Sequence, residues 1–231
     1  MGREHHFSTS ASDLRAAVLG ANDGLVSNFC LLLGVAGSGI GSREALLVGA
    51  AGLVSGACSM ALGEWLSMQN SRELVTAEMQ KEARELREQP AAERLELRRI
   101  YEARGLSRED AEEVARRLMA DPEIALATHA REELGIDPDG LGGSAHSAAA
   151  VSFLTFSGGA LLPLLPLVVG LDDWPAWTSA ASLAGLLLLG GLTARFNQRG
   201  LVYSAMRQAL FGAAAAAATF GVGYLLGVSV S

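Results

Sequence analysis

One aspartate lies inside a membrane-length apolar segment. The stretch from Ala16 to Ile40 reads AAVLGANDGLVSNFCLLLGVAGSGI, and Asp23 is its only formal charge. A charged carboxylate at bilayer depth costs from about 3 to more than 10 kcal/mol, so chains that keep one use it in an ion path, a proton relay or a buried pair. Asp23 is therefore a candidate cation ligand or proton carrier. The alternative is an aspartate that pairs with its polar neighbour Asn22 for packing.

A methionine and a glutamate share one face of the next apolar segment. Met60 and Glu64 are four residues apart, which places them one turn apart on a helix. A thioether is a soft ligand that helps to select a transition metal over Mg²⁺ or Ca²⁺. A lone methionine in an apolar helix is more often a packing residue. Glu64 closes the apolar segment, so an interfacial role and a ligand role both stay open.

Four glutamates follow in two pairs on either side of a proline. Glu82 and Glu85 precede Pro90, and Glu93 and Glu96 follow it. Residues three apart are neighbours on a helix, so a turn at the proline would let the pairs face each other. Four convergent carboxylates suit divalent cations such as Mn²⁺ or Fe²⁺. The alternative is a solvated face with ion pairs. The basic neighbours available for that are Lys81, Arg84, Arg87 and Arg94.

A histidine and a glutamate form a further candidate pair. His129 and Glu133 are four residues apart in a segment that the sequence predicts to be helical. At that spacing they share a helix face, and imidazole with carboxylate is a plausible set of metal ligands. Histidine and glutamate at this spacing more often form a surface pair that binds no metal.

The composition indicates that membrane helices must position these groups. Half of the 231 residues are hydrophobic, and the mean hydropathy is +0.27. A helix needs about 20 apolar residues to cross the hydrocarbon core. Five segments meet this length, at about 15–37, 45–67, 149–170, 174–195 and 205–229. The third contains Pro163 and Pro166, which predict a kink.

A polar insert separates the second and third apolar segments. Residues 71–146 hold 18 of the 25 acidic and 12 of the 18 basic residues. This is the composition of a membrane protein with one soluble module, and it excludes a basic nucleic-acid-binding patch. The predicted organisation is an N-terminal segment 1–14, membrane helices in 15–70, the soluble domain 71–146 and membrane helices in 147–231.

Local signals predict that the insert is entirely helical. Gln69–Gln89 continues the second membrane helix, and Pro90 starts a new helix that ends near Gly105. Ser107 is a predicted cap for Arg108–Ala120, and Asp121 for a last helix. That last helix should end at Gly135. The residues expected to pack these helices together are Leu95, Leu97, Ile100, Val114, Leu118, Ile124 and Leu126.

The distribution of arginine predicts the orientation in the membrane. The flanks before helix one and between helices four and five carry Arg3, Arg15, Arg195, Arg199 and Arg207. The link between helices one and two holds only Arg43, and the link LDDWPAW has no basic residue. Basic flanks stay cytoplasmic. The N-terminus and the 71–146 domain should therefore be cytoplasmic and the C-terminus outside.

Several motifs resemble the vacuolar iron transporter family. They are GANDGLVSNF, LVSGACSMALGEWLSMQNSRE, HAREELGIDPD and SFLTFSGGALLPLLP, and the resemblance runs from about Leu14 to the C-terminus. It implies an all-α protein of five transmembrane helices, with a cytoplasmic helical metal-binding domain between helices two and three. It also implies a homodimer that exports Fe²⁺, and often Mn²⁺, from the cytoplasm in exchange for protons.

The resemblance also implies roles for particular residues. Asp23 and Met60 match the family's translocation path, beside which Asn22 and Glu64 are further candidates. The metal site of the family's soluble domain matches Glu82, Glu85, Glu93, Glu96 and Glu133. Where plant members have a methionine one turn before that last glutamate, this chain has His129. An imidazole is harder than a thioether and titrates near neutral pH, so metal preference and pH response should differ.

Other functions stay open at this point. One is a manganese-selective transporter of the same fold. A membrane-tethered ferroxidase would use Glu-x-x-His motifs, and no histidine here has a glutamate three residues before it. A sensor without flux would not need Asp23. We expect no permanent cofactor, with Fe²⁺ and also Mn²⁺, Co²⁺ or Zn²⁺ as substrates. Arginine outnumbers lysine 17 to 1, which suggests a GC-rich prokaryote and its cytoplasmic membrane.

Overall fold

The structure is a computed structural model that describes residues 8–137, 144–197 and 199–230. In this part of the chain the regular elements are all helices, with no strand. They are α1 (Ser8–Gly37), α2 (Ser42–Glu88), α3 (Pro90–Ala103), α4 (Arg108–Leu118), α5 (Pro122–Glu132), α6 (Ala145–Val169), α7 (Trp174–Asn197) and α8 (Leu201–Val230). The prediction of an all-α fold is confirmed for the described residues.

Five helices are long and apolar enough to cross a bilayer, as predicted. The candidate spans are Ala17–Gly37, Ser42–Glu88, Ala145–Val169, Trp174–Arg195 and Leu201–Gly227. The first helix begins earlier than predicted, at Ser8. The predicted N-terminal segment 1–14 therefore lies partly in α1, and its residues 1–7 lie outside the described residues.

The second helix is far longer than a bilayer is thick. It has 47 residues, so at 1.5 Å per residue it is about 70 Å long, more than twice the hydrocarbon thickness. The prediction that this helix continues through Gln69–Gln89 is confirmed up to Glu88.

The chain forms two compact units, of which the larger comprises the described parts of Met1–Glu64 and His146–Ser231. Within it α1 packs against α7 and α8. The helices approach so closely that only glycine fits at some contacts. A Cβ atom on Gly24 would lie 2.1 Å from the carbonyl oxygen of Phe156, and one on Gly223 1.8 Å from that of Gly34. Small residues at such contacts are typical of helices packed in lipid.

The outward surface of this unit is apolar. Its exposed large side chains include Leu47, Leu154, Leu188, Phe211 and Leu225. In water an apolar surface of this extent would be unfavourable, but in a bilayer these side chains face lipid. The inner core contains Leu25, Phe29 and Leu186.

The helix α6 continues through both of its prolines. Side chains bind backbone carbonyls in this region: Asn28 Nδ2 donates to the Ala160 carbonyl at 2.8 Å, and Thr178 Oγ1 donates to the Pro163 carbonyl at 3.0 Å. These bonds tie α6 to α1 and α7 near its two prolines. The predicted kink stays a prediction.

The smaller unit is Trp65–Ala145, close to the predicted domain 71–146. Its helix starts are those predicted. Ser107 Oγ accepts a hydrogen bond from the Asp110 amide at 3.1 Å, and Asp121 accepts from the Glu123 amide at 2.9 Å. Gly105 and Gly135 have φ values of +99° and +65°, which suit the residues after a helix end. The helix α4 ends at Leu118, two residues before the predicted Ala120.

Leucine and alanine fill the interior of the smaller unit. Leu97 is buried as predicted, and the small side chains packed inside are Ala111, Ala115, Ala125 and Ala130. The prediction for Ile124 is wrong, because its side chain is 49% exposed. It lies in the first turn of α5, where Ala125 and His129 instead occupy the inward face.

Candidate metal centre

A tight hairpin brings two of the predicted glutamates together. The helix α2 ends at Glu88, Gln89 forms the cap, and α3 begins at Pro90. Glu82 and Glu93 lie on the inward faces of the two arms and are only 3% and 7% exposed. Acidic side chains are rarely this buried without a partner, so the burial needs a chemical explanation.

A buried histidine lies between the acidic side chains. His129 on α5 has no exposed surface. Its Nδ1 atom is 3.1 Å from Glu82 Oε1, 3.7 Å from Glu93 Oε2 and 3.5 Å from Glu133 Oε2. One ligand atom from each of the four residues lies within 4.8 Å of all the others. These four residues, Glu82, Glu93, His129 and Glu133, are called the cluster below.

The electrostatics of the cluster favour a bound cation. The pKa of Glu82 is raised from 4.5 to about 7, first by burial and then by the charges of Glu133 and Glu93. Burial also raises the pKa of Glu93, which the His129 charge opposes. Three carboxylates close together are unfavourable when all are ionised. A divalent cation among them would remove that repulsion.

Two of the predicted glutamates lie beside the cluster rather than in it. Glu85 is half-buried and forms an ion pair with Lys81 at 3.6 Å. Glu96 is exposed. Both nevertheless raise the pKa of Glu82 through their charge. They therefore add negative potential without contributing a ligand atom in this arrangement.

The predicted membrane residues lie in the larger unit. Asp23 is exposed on the surface of the single chain, and Ser27 Oγ donates to its Oδ1 at 3.3 Å. Asn22 is not the partner of Asp23, because its Oδ1 accepts from Gln208 Nε2 on α8. Among the described residues, Asp23 therefore bonds to Ser27 and does not pair with Asn22.

Met60 and the helix that carries Asp23 share a neighbour, Phe156. Its half-buried side chain packs against a cluster that includes Phe156. Gly24, the residue after Asp23, contacts the backbone of the same Phe156. Glu64 is partly buried one turn further along α2. Among the described residues, acidic and histidine ligand atoms converge in groups of three or more only at the cluster.

Comparison with known proteins assigns the chain to a family. A model of the VIT family matches residues 14–224, nearly the whole chain. The chain belongs to the VIT family. It is 38% identical to a vacuolar iron transporter of Acanthamoeba castellanii, over 96% of this chain and 82% of that protein. It is 32% identical to vacuolar iron transporter 2 of Oryza sativa subsp. japonica, over 95% of this chain and 89% of that protein.

Membership of the VIT family places the protein among transporters rather than enzymes. The five long apolar helices agree with this and make it a multi-pass membrane protein. The resemblance noted in the sequence is thereby confirmed. These relatives are eukaryotic, so the suggestion of a prokaryotic source has no support from them.

In this VIT family member, α4 supplies no ligand atom to the cluster. It forms ion pairs with α3, the helix that carries Glu93. Glu112 on α4 pairs with Arg94 at 3.2 Å and with Arg98 at 3.4 Å, both on α3. Glu132 on α5 also pairs with Arg104, the residue that follows α3. Sequence reasoning missed these partners, since opposite charges far apart along the chain carry no pairing signal.

Proposed function

We propose that this VIT family protein exports Fe²⁺ from the cytoplasm in exchange for protons. The observation that carries the proposal is the cluster, where three carboxylates and one imidazole place ligand atoms within 4.8 Å of one another. The names of the relatives, which are vacuolar iron transporters, support iron as the substrate. Mn²⁺ is a second substrate on this proposal, because carboxylate-rich sites also accept it.

The cluster acts as the capture site. Glu82, Glu93, His129 and Glu133 bind the metal, while Glu85 and Glu96 raise the local cation concentration by their charge. The domain that holds it is cytoplasmic, as the arginine-rich flanks of the membrane helices indicate. The N-terminus lies on the same side and the C-terminus on the other.

Asp23 and Met60 form the membrane part of the path, with Asn22 and Glu64 beside them. Asp23 is exposed on one chain within an apolar span, where contact with lipid would be costly for a charge. A second copy of the chain would cover it. We therefore propose a homodimer in which Asp23 lies at or near the contact between the subunits.

Proton exchange follows from competition for the same oxygen atoms. A protonated carboxylate binds a metal cation poorly, and a bound cation disfavours protonation. If Asp23 holds the metal when the path is open to the cytoplasm, protonation from the other side promotes release. Each return of the empty carrier then moves protons inward.

The test is Fe²⁺ flux in proteoliposomes under an imposed pH gradient. The Asp23→Ala variant should lose flux, while its metal binding at the cluster stays as in the parent protein. Asp172→Ala is a matched control, because Asp172 is an exposed acid in the link between α6 and α7. Parental flux in Asp23→Ala would refute the proposed path.

A further inference from the structure

We infer that His129 makes the cluster select later transition metals, such as Fe²⁺ and Co²⁺, over Mn²⁺ and Mg²⁺. This inference rests on the proposed function, since it concerns the metal that the capture site takes. The inference goes beyond the proposed function because it assigns the discrimination between metals to one side chain, His129.

The imidazole of His129 is positioned to bind any metal that the three glutamates bind. Its Nδ1 atom is within 3.1 to 3.7 Å of an oxygen of each of the three glutamates. A cation that contacts these oxygens therefore meets Nδ1 as well. Because His129 has no exposed surface, water cannot easily replace the nitrogen in the coordination sphere.

The ring is not committed to another structural role. A core histidine is usually held by hydrogen bonds to backbone carbonyls or to other side chains. Here Nε2 is buried and has no hydrogen-bond partner among the described residues. The contacts of Nδ1 are with the three acids of the cluster. Ligation of a metal through Nδ1 would therefore break no hydrogen bond outside the cluster.

The chemistry of the donor set then determines the preference. Oxygen ligands alone suit Mg²⁺, Ca²⁺ and Mn²⁺, whereas imidazole suits Fe, Ni, Cu and Zn. Three carboxylates without the imidazole would form a site for Mn²⁺ or Mg²⁺. Adding one nitrogen strengthens binding more for Fe²⁺ than for Mn²⁺, in line with the general order of metal affinities.

The experiment measures binding of Fe²⁺, Mn²⁺ and Mg²⁺ to the full-length protein in detergent, without oxygen. In His129→Gln an amide oxygen replaces the nitrogen. We expect its Fe²⁺ affinity to fall by about tenfold or more, as metal sites typically respond to altered ligation, and its Mn²⁺ affinity to change much less. His129→Cys replaces the nitrogen by a sulfur donor, which also favours Fe²⁺ over Mn²⁺, and should retain the Fe²⁺ preference. His146→Gln is the control, since His146 lies outside the cluster.

Two results would overturn the inference. If His129→Gln weakened Fe²⁺ and Mn²⁺ binding by the same factor, His129 would hold the fold of the site rather than select the metal. If neither affinity changed, the imidazole would not be a ligand. Failure of the proposed capture site would look different, because the parent protein itself would then bind none of the three metals.

Discussion

The Nδ1 atom of His129 on α5 lies 3.1 Å from Oε1 of Glu82 on α2. Both side chains are buried. This contact links the helix that continues out of the second apolar segment to the last helix of the smaller unit, and it forms the centre of the cluster. It explains why an acid and a histidine far apart in sequence can bind one cation.

Replacing Glu82 by glutamine should weaken metal binding strongly. The amide keeps the shape of the side chain but removes a buried negative charge from the centre of the cluster. We expect Fe²⁺ affinity to fall by about tenfold or more. Glu85→Gln is the matched control, because Glu85 is paired with Lys81 outside the cluster and should lose less. Titration of both purified variants tests this. Equal losses would mean that Glu82 has no special position.

Metal affinity should rise with pH through neutrality. Glu82 has its pKa raised from 4.5 to about 7, so below pH 7 a proton must leave before the metal binds. Below that pKa affinity should increase by up to about tenfold per pH unit for this one proton. Dissociation constants at pH 6, 7 and 8 would show the slope, and Glu82→Gln should flatten it. A slope unchanged in that variant would assign the proton to another group.

The same pKa shift fixes the sign of a stability effect in the metal-free protein. The folded state binds the Glu82 proton more tightly than the unfolded state does. The stabilisation from this group is therefore fully present below about pH 4.5 and is lost as pH rises through about 7. Glu82→Gln should remove this loss. Thermal unfolding of metal-free protein at pH 5 and pH 8 measures it, and greater relative stability of the parent at pH 8 would contradict it.

Two adjacent glycines of α6 should respond oppositely to alanine. A Cβ atom on Gly159 would lie 1.9 Å from the Ala21 carbonyl oxygen, whereas one on Gly158 meets nothing within 4 Å. Gly159→Ala must push α6 away from the α1 turn before Asp23, so both stability and flux should fall. Gly158→Ala should be neutral or stabilising by up to about 1 kcal/mol through helix propensity. Comparable melting temperatures for the two variants would contradict this close contact.

The ion pairs between α4 and α3 should help to hold α3 in position. Glu112→Gln removes the partner of both Arg94 and Arg98. Because these groups are partly exposed, the loss of stability should be small, below about 1 kcal/mol, with a modest loss of metal affinity. Glu113→Gln is the control, since Glu113 pairs with Arg116 and Arg117 on its own helix. A larger loss of affinity in the control would refute this role.

Features set by local sequence were predictable, and those set by packing were not. The five spans follow from apolar length, and the caps at Ser107 and Asp121 follow from side-chain chemistry one turn away. The separation of Glu82 and Glu93 from Glu85 and Glu96 depends on which helix faces meet α5. Spacing alone cannot give that, because all four glutamates obey the same periodicity. The central position of His129 in the cluster also depends on how the helices pack, so its spacing from Glu133 could not reveal it.

The most direct test of the central claim is simultaneous measurement of Fe²⁺ uptake and internal pH. Proteoliposomes that contain the parent protein and an acidic interior would receive Fe²⁺ from outside. We predict Fe²⁺ uptake coupled to a rise in internal pH. Uptake should stop when an ionophore removes the pH gradient, and both uptake and the pH rise should be absent in Asp23→Ala. Fe²⁺ uptake with no change in internal pH, or no uptake by the parent protein, would contradict the account.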